Sequence, residues 1–273
     1  MNFNQQVIDE FRANGGKVGG YFEDARLLLL TTTGARSGKP HTVPLVYFAD
    51  GEGRTLVVGS AGGGPKHPAW YHNAVANPTV TVEDGVFTYQ AEAVALPRAE
   101  RDEAWSRIKE TGEGWGGYEA ATTRVIPVVA LRQTVGGPPN ARSFGEGLKL
   151  IHDAFRRELA TLRREVATAG PTLHAQLRIN CVTACQGLRF HHDSEEQGMF
   201  PALSERYPEL APVMARLHEE HERIAELVVE LQAAVTRPEA DTARVRADVD
   251  RLIADLESHL EYEEEQLIPL LDR

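Results

Sequence analysis

The chain has 273 residues, 42% hydrophobic and 25% charged, the composition of a globular protein with one large or two small domains. A formal charge of −11 argues against nucleic acid as a main partner, and no apolar run approaches the roughly 20 residues needed to cross a bilayer. Two cysteines cannot form a disulfide framework, and the N-terminus lacks a basic stretch followed by an apolar region and a small-residue cleavage site, so a cytoplasmic setting is expected.

In chain order, a first helix is expected at 3–13, where Phe3, Val7 and Phe11 share a face. Runs rich in Val, Thr, Leu and aromatics predict strands at 26–33, 43–49, 55–60, 79–82, 87–96 and 126–131. Turn signals stand between them, Asp50-Gly51-Glu52-Gly53 and Glu83-Asp84-Gly85 among them. Further helices fit 67–76 and 98–111. Several short strands with few helices suggest a small antiparallel barrel over residues 1–133. Residues 134–146 hold Gly136, Gly137, Pro138, Pro139 and Asn140 and read as a linker. From 147 to 273 helical periodicity takes over, with helices at about 145–168, 171–198, 208–235 and 238–270 forming an antiparallel four-helix bundle. Ser143 with Glu146 forms a candidate capping box, and Pro171 and Pro238 suit first helical positions. The fold class is therefore α+β with two domains.

Composition supports the division. Residues 1–133 carry a net charge of −2 and the remainder −9; all three Trp and 17 of the 24 Gly lie in the first part, seven of the ten His in the second.

The bundle carries the strongest chemical signal. Its second helix holds His191 and Glu195, its fourth His259 and Glu263, each pair four apart and so on one helix face. The first helix offers His152 and the third His221, with His218 one turn earlier as a further candidate. Imidazole with carboxylate, without thiolate, suits iron or manganese, and a bundle core supplies ligands from facing helices. His192, Glu196, Glu264 and Glu265 are expected to face solvent or the ligands' outer side, and His174 has no partner at ligand spacing. Cys181 and Cys185, four apart on the second helix, read as buried thiols. The pattern of His152, His191 with Glu195, His221, and His259 with Glu263 resembles the hemerythrin-like, or HHE, family over roughly 147–270. That resemblance implies a non-haem di-iron centre bridged by carboxylates. The oxygen carriers of that family have two His four apart on the third helix, whereas His218 and His221 are three apart, which turns the expectation toward redox or nitric oxide chemistry.

In the barrel two loops stand out. Gly59-Ser60-Ala61-Gly62-Gly63-Gly64-Pro65-Lys66 is a glycine-rich turn entering a helix, able to offer N–H groups to an anion. Thr33-Gly34-Ala35-Arg36-Ser37-Gly38-Lys39-Pro40-His41 adds cations and hydroxyls. Ordinary hairpin loops are the competing reading. Together with Phe11-Arg12-Ala13-Asn14-Gly15-Gly16, Leu29-Leu30-Thr31-Thr32-Thr33-Gly34, Pro68-Ala69-Trp70-Tyr71-His72-Asn73, and Tyr118 with Arg124, these segments resemble the deazaflavin-dependent nitroreductase and quinone reductase family over about 4–132. The resemblance implies a split β-barrel binding coenzyme F-420, with FMN as the alternative. It places Arg36, Ser37, Lys39 and His41 at the phosphate end and Ser60, Gly62 and Gly63 near the coenzyme. Trp70 would pack beside it, Lys66 would add a cation, and Tyr118 would sit near ring and substrate as a proton donor; the competing reading of Tyr118 is a tyrosine packed on the barrel. Ala35 and Ala61 stand where the family often has Arg and Lys.

The expected function is a redox enzyme pairing deazaflavin-dependent hydride transfer to a quinone, enone or nitro compound with a di-iron bundle that meets oxygen, peroxide or nitric oxide. A sensor without turnover and a di-iron biosynthetic oxygenase are the rivals, and a homodimer is an open expectation.

Overall fold

A computed structural model describes residues 3–23, 25–137, 139–237 and 240–272. The chain divides into two compact units, Met1–Asn140 and Ala141–Arg273.

In the first unit, strands β1 (Leu27–Thr33), β2 (Pro40–Ala49), β3 (Thr55–Val58), β4 (Thr79–Asp84), β5 (Phe87–Ala95) and β6 (Val128–Val135) close an antiparallel barrel in the order β1-β2-β3-β6-β5-β4. β1 closes it, pairing Leu30 with both Val43 and Val82. Alternate residues fill the interior: Leu28, Leu30, Val57, Val82, Val129 and Leu131. The outer face of β1 is covered too, since Leu27 and Leu29 pack on Val7, Ile8 and Phe11 of helix α1 (Phe3–Ala13). Burial on both faces is why Leu27–Leu30 reads as an unbroken apolar run rather than an alternation. β2 starts three residues before the expected strand, because Pro40 pairs with Thr33 across the turn, and proline is tolerated at a strand's first residue.

Helices α2 (Ala69–Ala76), α3 (Arg98–Glu110) and α4 (Glu113–Ala120) complete the unit. α4 was not expected, because three glycines in eight residues give it poor intrinsic propensity. Tertiary contacts hold it: Glu119 accepts hydrogen bonds from Trp105 Nε1 (2.7 Å) and Lys109 Nζ (2.8 Å), and the Trp115 ring packs against Phe48 and Trp105.

The second unit comprises α5 (Phe144–Thr168), α6 (Ala175–Ser194), a π-helical turn (Glu195–Met199), α7 (Phe200–Arg206), α8 (Ala211–Thr236) and α9 (Thr242–Leu271). Its core is a stripe of Leu, Val and Ile that includes Leu162, Leu177, Leu231, Val245 and Leu260, with the thiols of Cys181 and Cys185 buried in it and not joined by a disulfide. Burial pushes the Cys185 thiol up to about 12.

Some expected ends moved. Pro171 does not open the second helix; His174 does, its Nδ1 accepting from Leu177 N–H at 3.1 Å. A polar side chain that satisfies a free helix-end N–H sets the boundary better than proline does. That helix does not stop at 198 but passes through the π turn into α7. Ser143 caps α5 by accepting from Glu146 N–H (3.1 Å), while the Glu146 carboxylate accepts from Arg142 N–H (2.6 Å), one residue earlier than in a standard box. β6 runs to Val135 and α5 begins at Phe144, so ordered elements enter both ends of the expected linker. Pro138 and Pro238 lie outside the described residues. Among the described residues no helix is long and apolar enough to cross a membrane.

Candidate metal centre and coenzyme cradle

Four helices each aim an imidazole at the centre of the bundle. His152 of α5, His191 of α6, Glu195 of the π turn and Glu263 of α9 form one buried group, whose donor atoms all lie within 4.8 Å of one another. His192, His221 of α8 and His259 of α9 form a second buried group on the same criterion. The carboxylates reach both. Glu195 approaches His191 Nε2 at 3.1 Å and His221 Nε2 at 3.6 Å, and Glu263 approaches His152 Nε2 at 3.4 Å and His259 Nε2 at 3.7 Å.

Outer carboxylates orient three of the rings. His152 Nδ1 donates to Glu264 (3.0 Å), His221 Nδ1 to Glu196 (2.8 Å) and His259 Nδ1 to Glu220 (3.1 Å). An ionised carboxylate only accepts, so each bond puts the proton on Nδ1 and turns a bare Nε2 inward. Arg156 donates to Glu264 (2.7 Å) and Arg216 to Glu220 (2.8 Å), which keeps those carboxylates charged. Burial opposes ionisation of Glu264, yet His152 and Arg156 hold it down at about 2. Burial lowers His191, His192, His221 and His259 below the ordinary histidine value, so they stay neutral and can act as donors. At His152 burial pulls down, but Glu263 and Glu264 outweigh it and the net shift is upward. Burial and the neighbouring Glu263 carboxyl raise Glu195 well above the usual range.

These residues fit a pair of cations. Nε2 of His152, His191 and His192 and all four carboxylate oxygens of Glu195 and Glu263 are buried without a hydrogen-bond partner. His221 Nε2 faces His259 Nε2 at 3.1 Å, two lone pairs head to head. Unsatisfied buried polar atoms cost free energy that coordination would recover.

All six expected ligands therefore converge. His218 does not join them: it is exposed, with its Nδ1 on Glu196 at 3.2 Å. His192 corrects the expectation that it faces outward; it is buried and stacks on His221 with ring centres 4.1 Å apart. Adjacent helical residues point about 100° apart, so periodicity permits only one of His191 and His192 on a given face. Both are nonetheless buried, and just beyond them the helix opens into its π turn, where Glu195 N–H is shared between the carbonyls of His191 and His192. Glu220 was also missed; it follows His218 and Glu219 in an acidic stretch that reads as a solvated face.

In the barrel unit the turn after β1 is fastened to α2 and its C-cap residue. Buried Asn73 accepts from Ala35 N–H (3.0 Å) and donates to Thr32 Oγ1 (3.2 Å), and Asn77 donates to the Thr33 carbonyl (3.1 Å). Arg36, Lys39 and His41 on that turn are exposed, and Ser37 Oγ meets His41 Nε2 at 3.1 Å. Arg124 pins the glycine loop, donating to the carbonyls of Gly64 (2.9 Å) and Ser60 (2.5 Å) and to His67 Nδ1 (3.0 Å). Ala61, Gly62 and Gly63 all have positive φ, of 47°, 60° and 76°. A Cβ on Gly63 would lie 2.8 Å from Ala121 Cβ and 3.0 Å from the Tyr118 carbonyl, so the loop sits directly on α4. Gly62 and Lys66 are exposed. Trp70 is 5% exposed and belongs to the barrel interior, supporting α2 from beneath. Tyr118 is half-buried beside Trp115, and a hydrogen bond with Tyr21, aided by burial, raises its pKa.

Residues 4–133 match the family model described as F420H(2)-dependent quinone reductase, and residues 144–271 match the Hemerythrin HHE cation binding domain. An F420H(2)-dependent quinone reductase of Mycobacterium tuberculosis is 37% identical over 125 residues, covering 44% of this chain and 83% of that protein. The chain belongs to this reductase family through its barrel. A solved F420-H2 dependent reductase is 41% identical, covering 39% of this chain and 94% of that one, with a TM-score of 0.36. A second solved chain, a domain-swapped dimer, is 36% identical over 47% of this chain and 96% of its own, with a TM-score of 0.38. Within the family's span lie both loops, α2 and α4. Asn73 and Arg124 belong to the quoted family segments, yet their anchoring role became visible only in the hydrogen bonds.

Proposed function

We propose that the chain is an oxidoreductase whose barrel takes reduced coenzyme F-420 and a small acceptor of the quinone, enone or nitro class, and whose bundle holds two iron ions. The observation that carries the bundle half is the convergence of unpartnered imidazole nitrogens and carboxylate oxygens at one buried point. Membership of the reductase family supports the barrel half. When bound, the deazaflavin supplies a hydride, and the iron pair supplies one-electron steps toward oxygen, peroxide or nitric oxide.

The chain's own residues bind, orient and hold protons. Arg36, Lys39, Lys66 and His41 offer charge and N–H groups to an anionic coenzyme tail, with Ser37 and Ser60 as hydroxyl partners. Gly62 and Gly63 let backbone approach the coenzyme, and Arg124 keeps that backbone in place. Tyr118, its proton held more tightly than in free tyrosine, stays protonated at neutral pH and is the group to hydrogen-bond the acceptor or deliver a proton to its oxygen. In the bundle, Glu264, Glu196 and Glu220 fix the rings, while Glu195 and Glu263 each reach both groups of imidazoles.

The test uses the full chain: metal analysis with an absorption spectrum, then anaerobic addition of reduced coenzyme with and without a quinone. Expected are about two irons per chain and quinone-dependent oxidation of the coenzyme. Failure of the reduced coenzyme to bind, with FMN binding instead, would transfer the barrel reading to FMN. Coupling between the units is read separately: iron that stays ferric while reduced coenzyme is bound rules out direct transfer.

A further inference from the structure

We propose that His192 is a metal donor, which makes the two metal positions of the bundle chemically unequal. One position has two imidazoles and two carboxylates, His152, His191, Glu195 and Glu263; the other is rich in imidazole, with His192, His221 and His259. The inference rests on the metal reading above and adds a ligand that neither helical periodicity nor the paired His–Glu motif supplies.

Three observations carry it. His192 is 6% exposed, and its Nε2 is buried with no hydrogen-bond partner. A neutral imidazole in a packed core normally satisfies that nitrogen, so leaving it bare costs free energy unless an ion takes it. Its donor atom lies within 4.8 Å of those of both His221 and His259, close enough for one ion to meet all three. The π turn beginning at Glu195 widens the helix just past His191 and His192, and such bulges concentrate at functional sites.

Packing alone is the competing role, because His192 stacks on His221 at 4.1 Å with the rings 14° apart. The two roles predict different consequences. Nitrogen-rich positions suit the later first-row divalent ions, and carboxylate-rich ones suit manganese and iron. Loss of His192 should therefore weaken one position selectively.

His192→Phe keeps a flat ring in the stack and removes the nitrogen. The full chain, wild type and variant, is loaded with ferrous iron without oxygen, and its iron is then withdrawn by excess ferrous chelator. In the variant one iron should leave roughly 10- to 100-fold faster than in the wild type, a loss at least as large as removal of an outer carboxylate brings. The second iron should leave at the wild-type rate. His191→Ala, assigned to the carboxylate-rich position, should instead speed the other iron. Circular dichroism checks folding; if His192→Phe is unfolded, His192→Gln carries the same comparison. Two irons leaving the folded His192 variant at wild-type rates, with release from His191→Ala still accelerated, overturn the proposal while the metal reading stands. A wild-type chain that takes up no iron defeats the metal reading itself, and the role of His192 falls with it.

Discussion

Gly63→Ala tests whether the glycine loop is glycine because it lies on α4. At φ 76° an alanine occupies the left-handed region, at about 1–2 kcal/mol. Its Cβ would also meet Ala121 Cβ at 2.8 Å and the Tyr118 carbonyl at 3.0 Å. One neighbour is backbone and the other a methyl fixed to it, so relief means moving α4, at about 1–3 kcal/mol more. The sum is about 2–5 kcal/mol. Gly62→Ala is the matched control, since φ is 60° but nothing lies within 4 Å of the added Cβ, leaving only the backbone cost. All three Trp fall in residues 1–133, so tryptophan fluorescence in a urea titration reports the barrel without the bundle. With a slope of about 2 kcal/mol per molar urea, Gly63→Ala should lower the midpoint by about 1–2.5 M and Gly62→Ala by clearly less. Equal shifts in the two variants would refute the packing argument. In the folded fraction Gly63→Ala should also weaken coenzyme binding by displacing the loop and Tyr118, read by titrating the coenzyme's absorbance.

His191→Ala or Glu263→Ala should each remove at least one iron per chain, by metal analysis; near-full occupancy in both would undo the ligand assignment. Glu264→Gln and Glu220→Gln leave every donor in place but loosen His152 and His259, so metal affinity should fall roughly 10- to 100-fold with stoichiometry unchanged at saturation. Asn73→Leu strips the Ala35 N–H and Thr32 of a buried partner and should cost about 1–3 kcal/mol by the same fluorescence titration, with weaker coenzyme binding. In the metal-stripped chain four imidazoles have folded pKa values below the unfolded one, so below about pH 6.5 the unfolded state binds more protons and stability falls on acidification. Glu195, His152 and His218, all raised, pull the other way, but below about pH 6.5 the two histidines are largely protonated in the unfolded chain as well, so these three do not cancel four rings. Ellipticity at 222 nm should show bundle unfolding at milder denaturant at pH 5.5 than at 6.5; an unchanged midpoint would count against neutral buried imidazoles.

Much of this was legible because it is local. His191 with Glu195 and His259 with Glu263 announce themselves by four-residue spacing, which any helix turns into a shared face. His152 and His221 follow once four helices are assumed, and the six strands follow from alternating and doubly buried apolar runs. His218 and His192 show the limit. Both lie beside expected ligand positions, yet His218 ends exposed on Glu196 and His192 ends inside, stacked on His221, outcomes set by packing between helices that no spacing rule records. α4, with three glycines, is held as a helix by tertiary contacts, Trp105 and Lys109 on Glu119 and the Trp115 ring on Phe48 and Trp105.

The sequence by itself determined two units, an antiparallel barrel and a helical bundle, and six residues able to ligate metal, since composition, periodicity and spacing are properties of neighbouring residues. Tertiary structure decided which carboxylate orients which imidazole, that Arg124 and Asn73 fasten the two glycine-containing loops of the barrel, and that His192 faces the centre. Those outcomes depend on partners that in most cases lie tens of residues away in the chain, and their geometry is set only when packed helices and a closed barrel fix the distances between them.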